Sequence, residues 1–372
     1  MKSTEKDTRP LIILTAGGTG GHVYPADALA AELEQRGYRL ALVTDSRGKD
    51  NYKGKLAEIP NYAVLAGGLV GKGKWTKIKN LFKICIGILQ AGVILFRQKP
   101  VCVVGFGGYA SFPCAMAAIL LGIDLVIHEQ NSVMSRTNRF LSKYAELIAQ
   151  SFRNVKYTPP AARTVLTGMP VRQAIASVRE QPRPKTASGK FRLLILGGSQ
   201  GAKIFGDIIP EAVKQLDKKL QKNLTVCQQC RRDDVEKLRE AYQDCPADTT
   251  ISHFFNNMPE LYAASHLIIS RSGASSVCEI AAVGIPSILV PLPTAADDHQ
   301  TGNARELSEN GGAILIKQAD FTAERLSQTL TELFTHPKQL EKMVTQSRKA
   351  GITNAAALFA DAIEKQIIRK QK

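Results

Sequence analysis

The 372-residue sequence has few aromatic residues and contains a single tryptophan. Phe, Trp and Tyr make up 6% of the chain, which is too few for the stacking surfaces on which proteins bind single-stranded nucleic acid. Acidic residues are also scarce, because 33 Asp and Glu stand against 49 Lys and Arg, a formal charge of +16. This excess indicates an anionic partner such as a phosphate ester or an acidic lipid. No nucleic-acid-binding signature accompanies it, so we expect no nucleic acid partner.

Cysteines are scattered, and long uncharged apolar segments are missing. The seven cysteines lie mostly inside apolar segments, which is typical of buried thiols in a reducing compartment and argues against a disulfide framework. Cys227 and Cys230 form a C-x-x-C pair, but Cys245 and His253 do not continue it with the spacing of zinc ligands, so we expect no metal. The longest uncharged apolar run, residues 84–96, has about 13 residues, fewer than the roughly 18 of a membrane-spanning helix. We therefore expect a cytoplasmic protein.

Short apolar segments of strand type alternate with helix-length amphipathic segments, which predicts parallel α/β layers. The segments at 11–16 and 191–196 open alike, because each runs into a glycine-rich turn and then a helix. Residues 179–190 have the Pro, Gly and charge content of a loop. We predict an α/β protein of two Rossmann-like domains with parallel sheets, separated by a deep cleft and spanning residues 1–171 and 172–349. The clearest further segments are strands at 40–44, 101–106, 125–128 and 147–150 and helices at 76–96 and 113–121.

The first strand leads into a glycine-rich turn at 17–21, followed by His22. Glycine lets the backbone approach a ligand closely, and a helix N-terminus offers free N–H groups to an anion. A histidine at this sheet edge suits proton transfer near neutral pH, and a capping or solvated histidine is the alternative. Asp45, at the end of the second strand, could accept from a ribose hydroxyl, so a nicotinamide-dependent oxidoreductase stays open.

Two further loops follow neighbouring strands of the N-terminal half: Gly-Gly-Tyr-Ala-Ser at 107–111 and His-Glu-Gln-Asn at 128–131. Carboxyl ends of parallel strands meet at one edge of a sheet, so three such loops favour a ligand pocket. The alternative for His128 and Glu129 is a buried pair whose members satisfy each other and the backbone.

The segment 270–279 of the second half follows a strand and opens a helix with small and hydroxyl residues. Small residues expose backbone amides to a diphosphate, and hydroxyls add donors. Glu279, about one turn into this helix, could bind both hydroxyls of a ribose, and ordinary charge complementarity with the helix N-terminus is the alternative. Gln300 and Asn303 share one helical face through their i, i+3 spacing.

Residues 72–99 combine apolar residues at helical spacing with interleaved lysines. Trp75 stands near the start of this segment, and Ile78 and Phe82 follow on the same face. A basic amphipathic helix of this kind fits a surface that rests on acidic lipid headgroups. The alternative is an ordinary crossover helix of a βαβ unit, and both descriptions can hold together.

These motifs, in this order and over nearly the whole chain, resemble the MurG family of UDP-N-acetylglucosamine transferases, which convert lipid I to lipid II in peptidoglycan synthesis. The motifs are residues 17–22, 107–111, 128–131, 168–172, 197–202, 271–279 and the pair Gln300 and Asn303. The resemblance implies a GT-B fold and an inverting hexosyltransferase without metal or cofactor. It implies UDP-N-acetylglucosamine as donor and the undecaprenyl-diphosphate-linked muramyl pentapeptide, lipid I, as acceptor. It also implies a peripheral position on the anionic cytoplasmic face of the bacterial inner membrane, beside other cell-wall or division proteins.

The resemblance also implies residue roles. His22 would be the general base, with Glu129 and His128 as reserve candidates. The donor UDP-N-acetylglucosamine would contact Thr19, Gly20, Gly21, Asn131, Arg172, Ser199, Phe255, Ala274, Ser275, Ser276, Glu279, Gln300 and Asn303. The acceptor would contact Gly17, Gly18, Gly107, Gly108, Tyr109 and Ser111. The membrane would contact Trp75, Ile78 and Phe82, and residues 350–372 would return to pack on the first domain.

Four positions depart from the family pattern. Phe112 stands where the family usually has Gly, which changes the shape of one acceptor loop. Met169 stands where the family usually has Asn and removes a polar group. Ser276 for Thr and Lys203 for Arg keep the donor chemistry.

Two more functions stay open besides the oxidoreductase. One is a GT-B transferase that glycosylates a diacylglycerol, although such an enzyme should lack the loop at 128–131. The other is a scaffold that binds a nucleotide sugar without turning it over.

Overall fold

The computed structural model describes residues 8–17, 20–46, 54–68, 73–184, 190–198 and 201–371. The chain divides into two compact units. The first comprises Met1–Arg172 together with Asn354–Lys372, and the second comprises Gln173–Thr353. Each unit has one parallel sheet and its own buried core.

The strands of the first unit are β1 (Leu11–Thr15), β2 (Arg39–Asp45), β3 (Asn61–Val64), β4 (Cys102–Gly105), β5 (Leu125–Glu129), β6 (Leu147–Gln150) and β7 (Thr164–Leu166). They pair in parallel in the order β3-β2-β1-β4-β5-β6-β7. The strands of the second unit are β8 (Phe191–Leu196), β9 (Leu224–Gln229), β10 (Asp248–Ser252), β11 (Leu267–Ser270), β12 (Ser287–Leu289) and β13 (Ala313–Leu315). They pair in parallel in the order β10-β9-β8-β11-β12-β13. All five residues of β1 are buried, as expected for a strand covered on both faces.

Most α-helices of the described residues alternate with the strands. They are α1 (Gly20–Gln35), α2 (Lys55–Glu58), α3 (Lys74–Gln98), α4 (Gly108–Leu120), α5 (Arg136–Leu141), α6 (Gln173–Ala176), α7 (Lys203–Lys214), α8 (Lys218–Lys222), α9 (Val235–Ala241), α10 (Met258–Ala264), α11 (Ala274–Val283), α12 (His299–Ser308), α13 (Ala323–Thr335), α14 (Pro337–Ala350) and α15 (Ala355–Gln371). Short 3-10 segments lie at Ser177–Glu180, Arg232–Asp234, Ala296–Asp298 and Gln318–Asp320.

The strand order of each sheet reverses at one point, between β1 and β4 in the first unit and between β8 and β11 in the second. Loops that leave the two strands at such a point diverge and open a crevice at the carboxyl edge, where α/β proteins bind ligands. These loops start at Ala16 and Phe106 in the first unit and at Gly197 and Arg271 in the second. The topology therefore places one candidate binding edge on each unit.

Helices cover both faces of the first sheet. One core cluster joins the sheet to α1 and α15, and a second cluster joins its other face to α3, α4 and α5. Arg36, directly after α1, anchors α15 by donating to Asp361 at 2.6 Å and to Glu364 at 2.7 Å. The C-terminal helix is therefore an integral layer of the first unit.

Helix α3 is amphipathic in an unusual way, because its outer face is also apolar. Ile84, Gly87, Ala91 and Leu95 are buried against the unit, whereas other large apolar side chains of α3 are exposed. Helix α3 has 25 residues, and an 18-residue window within it has a mean hydropathy of 1.6, so it is long and apolar enough to cross a membrane. The sequence analysis predicted no such segment, because the uncharged apolar run is shorter than the helix. The helix nevertheless connects two strands of one sheet and packs along α4, so it belongs to the folded unit.

Candidate active site

The turn after β1 brings a histidine to the switch point of the first sheet. His22 is half-buried in the first turn of α1, and its Nδ1 lies 2.7 Å from the carbonyl oxygen of Phe106. Because a carbonyl oxygen only accepts, Nδ1 carries the proton and Nε2 is the acceptor nitrogen. Nε2 lies 3.3 Å from the point that a Cβ on Gly108 would occupy, so glycine at this position prevents crowding of that nitrogen. The ring therefore has the tautomer that a base acting through Nε2 requires.

The surroundings of His22 keep its ring neutral. Burial lowers its pKa below the ordinary 6.5, while the hydrogen bonds to Phe106 and Gln130 act in the opposite direction. A neutral imidazole at pH 7 can accept a proton.

The loop after β4 turns into α4 through two glycines. Gly107 and Gly108 have φ values of 78° and 76°, a left-handed conformation that favours glycine. Ser111 donates to the carbonyl oxygen of Gly107 at 2.8 Å, and the Tyr109 hydroxyl donates to Asp45 at 3.3 Å. No side chain caps the start of α4, so the amides of its first turn suit an anion.

Other predicted residues of the first unit lie around the same edge. Gly17 packs so closely on α4 that a Cβ there would come within 2.7 Å of the Ala110 Cβ. Gly20 and Gly21 begin α1. Asn131 is half-buried in the loop after β5.

Arg172 is half-buried at the end of the first unit. Its guanidinium lies 4.8 Å from the ring centroid of Tyr24, a cation–π contact on the first turns of α1. The two side chains are thus held together beside the binding edge.

The carboxylate of Glu129 organises the loop after β5. It is fully buried and accepts from the backbone N–H of Asn131 at 3.0 Å, from that of Ser135 at 3.0 Å and from Asn138 Nδ2 at 2.8 Å. Burial raises its pKa, and these hydrogen bonds oppose the change. Such a fully engaged carboxylate positions a loop and is a poor candidate for a base.

The ring of His128 is also fully buried. Its Nε2 lies 3.3 Å from the carbonyl oxygen of Gly168 and 3.3 Å from the Ser151 hydroxyl, and its ring stacks on Phe359 of α15 at 5.2 Å. Burial lowers its pKa to about 4. His128 and Glu129 therefore have separate partners and do not satisfy each other, contrary to the alternative drawn from the sequence.

The switch point of the second sheet is occupied by the start of α11. Gly273 is the N-cap, no side chain caps the helix, and its first turn carries no acidic residue. Ala274, Ser275 and Ser276 form that turn, so uncompensated backbone N–H groups are available to an anion. A helix start of this kind suits an anion such as a diphosphate.

Arg271 braces the turn between β11 and α11. Its guanidinium donates to the carbonyl oxygens of Val290 and Pro291, both at 3.1 Å, and to Gln318 Oε1 at 2.6 Å. Burial lowers its pKa. The sequence analysis included Arg271 in a motif without assigning it a role, because its hydrogen-bond partners lie far along the chain.

Gln300 and Asn303 of α12 both bind backbone near this turn. Gln300 Oε1 accepts from the N–H of Leu292 at 2.9 Å, and Asn303 Nδ2 donates to the carbonyl oxygen of Ser272 at 3.1 Å. Their i, i+3 spacing thus brings both amides to the loops at the carboxyl ends of β11 and β12.

Glu279 lies in the second turn of α11 and accepts from the Tyr262 hydroxyl at 2.9 Å. Tyr262 is almost fully buried. The sequence analysis did not identify it, because an aromatic residue on a short helix gives no distinctive signal. Phe255 is half-buried in the loop after β10, at the same sheet edge.

Three predicted contacts, Gly18, Thr19 and Ser199, lie outside the described residues. Among the residues that the structure does describe, no group of three or more His, Cys, Asp or Glu side chains could hold a metal ion.

Fold and site together define a class: a GT-B glycosyltransferase, with a Rossmann-like sheet in each unit and an uncapped helix N-terminus at the switch point of the second. The family model for the glycosyltransferase family 28 N-terminal domain matches residues 12–150, and that for the family 28 C-terminal domain matches residues 192–363.

The chain is 46% identical over 364 residues to the UDP-N-acetylglucosamine--N-acetylmuramyl-(pentapeptide) pyrophosphoryl-undecaprenol N-acetylglucosamine transferase of Paramagnetospirillum magneticum, covering 97% of each chain. It is 45% identical to the transferase of the same name from Rhodospirillum rubrum, covering 95% of this chain and 91% of that one. The crystal structure of Acinetobacter baumannii MurG matches with a TM-score of 0.77 and 34% identity, covering 96% of this chain and 99% of that one. The chain therefore belongs to glycosyltransferase family 28 and, within it, to the MurG family. This confirms the resemblance and the GT-B fold class and overturns the oxidoreductase alternative.

Proposed function

We propose that this protein transfers N-acetylglucosamine from UDP-N-acetylglucosamine to the muramyl 4-hydroxyl of lipid I, with inversion, and so forms lipid II. The observation that carries the proposal is the full-length match to transferases of that name, at 46% identity over 97% of both chains. The anion-binding helix terminus and the neutral histidine described above supply the chemistry that the transfer requires.

The donor diphosphate binds at the start of α11. Backbone N–H groups of its first turn, with the Ser275 and Ser276 hydroxyls, would stabilise the negative charge that grows on the departing UDP. Arg271 holds this turn in place through carbonyl groups at the end of β12. The helix terminus thereby takes the part that a divalent cation plays in other transferases.

His22 is the general base. Its Nε2 takes the proton of the muramyl 4-hydroxyl while the hydroxyl oxygen bonds to the anomeric carbon, and the electron pair of the breaking C–O bond leaves with UDP. The Nδ1–H···O=C bond to Phe106 stabilises the imidazolium that forms.

The outer face of α3 rests on an anionic membrane surface. Trp75 is 86% exposed and Phe82 67% exposed, and Ile78 lies between them on the same face. Lysines interleave with these residues, so apolar insertion and attraction to acidic headgroups act together. The protein would bind its acceptor at the cytoplasmic face of the inner membrane.

The test is UDP release from UDP-N-acetylglucosamine in the presence of a lipid I analogue, with and without EDTA. We expect acceptor-dependent release that EDTA leaves unchanged. Donor binding by calorimetry without any release would support the scaffold alternative instead.

A further inference from the structure

The carbonyl oxygen of Phe106 is held by two side chains. His22 Nδ1 lies 2.7 Å from it, and Gln130 Nε2 donates to it at 2.5 Å. Gln130 is 3% exposed and belongs to none of the contacts proposed for donor or acceptor. An amide buried against the atom that orients the base requires an explanation.

This carbonyl needs external support because of the chain that follows it. Phe106 is outside β4 and precedes Gly107 and Gly108, both in the left-handed region. Glycine peptides reorient easily, so no regular structure fixes the direction of the carbonyl. A second donor on the other lone pair restricts it to one orientation.

Gln130 is itself well anchored. The residue before it, Glu129, is the buried carboxylate that accepts two hydrogen bonds from the following loop and one from Asn138 of α5. Asn138 adds a hydrogen bond to the carbonyl oxygen of His128 at 3.1 Å. The loop that carries the amide is thus rigid enough to position another group.

We propose that Gln130 is a positioning residue for the base: by fixing the Phe106 carbonyl, it keeps the proton of His22 on Nδ1 and Nε2 free for the acceptor hydroxyl. This inference rests on the proposed function and extends it from the base to the group that orients it. The other titratable groups on the elements around His22 include Tyr24 and Asp27 on α1 and Cys114 on α4. They also include Asp45 and Tyr109, which bond to each other, and the buried His128 and Glu129.

The first experiment compares Gln130→Met with Gln150→Met. Gln150 is the matched control, because it is a buried glutamine at the end of the adjacent strand β6 that donates to the Thr158 hydroxyl at 2.9 Å. We expect Gln130→Met to lower kcat by about 10- to 100-fold, part of the effect of a general base, with the KM for UDP-N-acetylglucosamine changed less than about twofold. Gln150→Met should keep kcat within about twofold.

The second experiment uses Gln130→Glu and reads the pH profile, which a purely structural role would not move. A carboxylate beside the imidazole raises the pKa of His22, so the acid limb of kcat/KM should move up by about one pH unit. An unmoved acid limb in Gln130→Glu, or equal kcat losses in the Gln130 and Gln150 methionine variants, would overturn the inference. All results are ratios to the unsubstituted protein, whose own UDP release tests the proposed function separately.

Discussion

Burial lowers the pKa of two histidines of the first unit, but their surroundings differ. His22 is half-buried, with one nitrogen bonded to backbone and the other directed at the glycine loop. His128 is enclosed between Phe106 and Phe359, and its Nδ1 has no hydrogen-bond partner among the described residues. The first histidine therefore suits proton transfer, whereas the second is enclosed by aromatic packing.

Replacing His22 by Ala should lower kcat by about 10²–10⁴-fold, the usual contribution of a general base, and leave UDP binding unchanged. Its lowered pKa also places the acid limb of kcat/KM for the unsubstituted protein below pH 6.5. Steady-state UDP release across pH and calorimetry with UDP measure both quantities. His336→Ala, at an exposed position of the second unit, is the control, and turnover by His22→Ala at the parent rate would assign the base elsewhere.

His128 should make the protein sensitive to acid. Its pKa is about 4 when folded against an ordinary 6.5, so between these values the unfolded chain binds a proton that the folded chain does not. The free energy of unfolding therefore falls as pH falls through this window, by up to about 1.4 kcal/mol per pH unit. Urea unfolding of His128→Gln should show a flatter pH dependence than the parent or His336→Gln. Parallel curves for all three proteins would contradict this.

Individual site residues could be predicted from the sequence only where they stand in a local pattern. Gly107, Gly108 and His22 were found because glycine turns after buried strands are visible in the chain. Gln130 and Arg271 were not given roles, because their partners are carbonyl oxygens that only the tertiary fold brings near.

At the element scale, apolar segments predicted strands well where they are central and poorly where they are short. The buried β1 agrees with the prediction to one residue, whereas β3 and β7 were missed because edge strands of three or four residues bury little. Helix α4 starts before its predicted Pro113 start, since the glycine turn sets its N-terminus and the proline is tolerated inside. The hydrophobic pattern of a sequence indicates which strands are buried, and edge strands bury too little to show that pattern.

The apolar face of α3 should bind vesicles without contributing to the stability of the unit. Trp75→Ser combined with Phe82→Ser should lower partitioning onto anionic vesicles at least about tenfold, because each side chain buries apolar area in the bilayer. The free energy of unfolding should change by less than about 0.5 kcal/mol per substitution, as expected for exposed positions. Vesicle co-sedimentation is the measurement, and Phe254→Ser, at another exposed aromatic, is the control. Equal sedimentation of the double variant and this control would refute the contact.

The attachment of helix α15 to the first unit should depend on Arg36. Arg36→Met removes the donors to Asp361, Glu364 and the carbonyl oxygen of Ala357, and should lower the free energy of unfolding by about 1–3 kcal/mol. The exposed Arg325→Met, whose ion pair is long at 3.7 Å, should have little effect. Denaturant unfolding compares the two, and similar losses would show that α15 is held by its apolar face alone.

At the scale of the whole molecule, the proposed function divides the chemistry between the two units. Each has its own sheet and core, and each carries at its switch point the start of a helix that no side chain caps. Local sequence predicts this duplication, because the two halves open with the same strand and glycine turn. The return of Asn354–Lys372 to the first unit could not be read from periodicity, because an amphipathic helix does not specify which surface buries it.

This division predicts which backbone amides a bound nucleotide protects from hydrogen exchange. UDP at about 100 times its Kd should stabilise the protein by about 2.7 kcal/mol if it binds only the folded state, whereas NADH at the same concentration should have no effect. Hydrogen exchange should slow at the amides of residues 273–276, at the start of α11, because a bound diphosphate accepts from them. Amides at 107–111, assigned to the acceptor, should exchange at their original rate. Protection by UDP confined to 107–111 would place the donor on the first unit and reverse the assignment of the two edges.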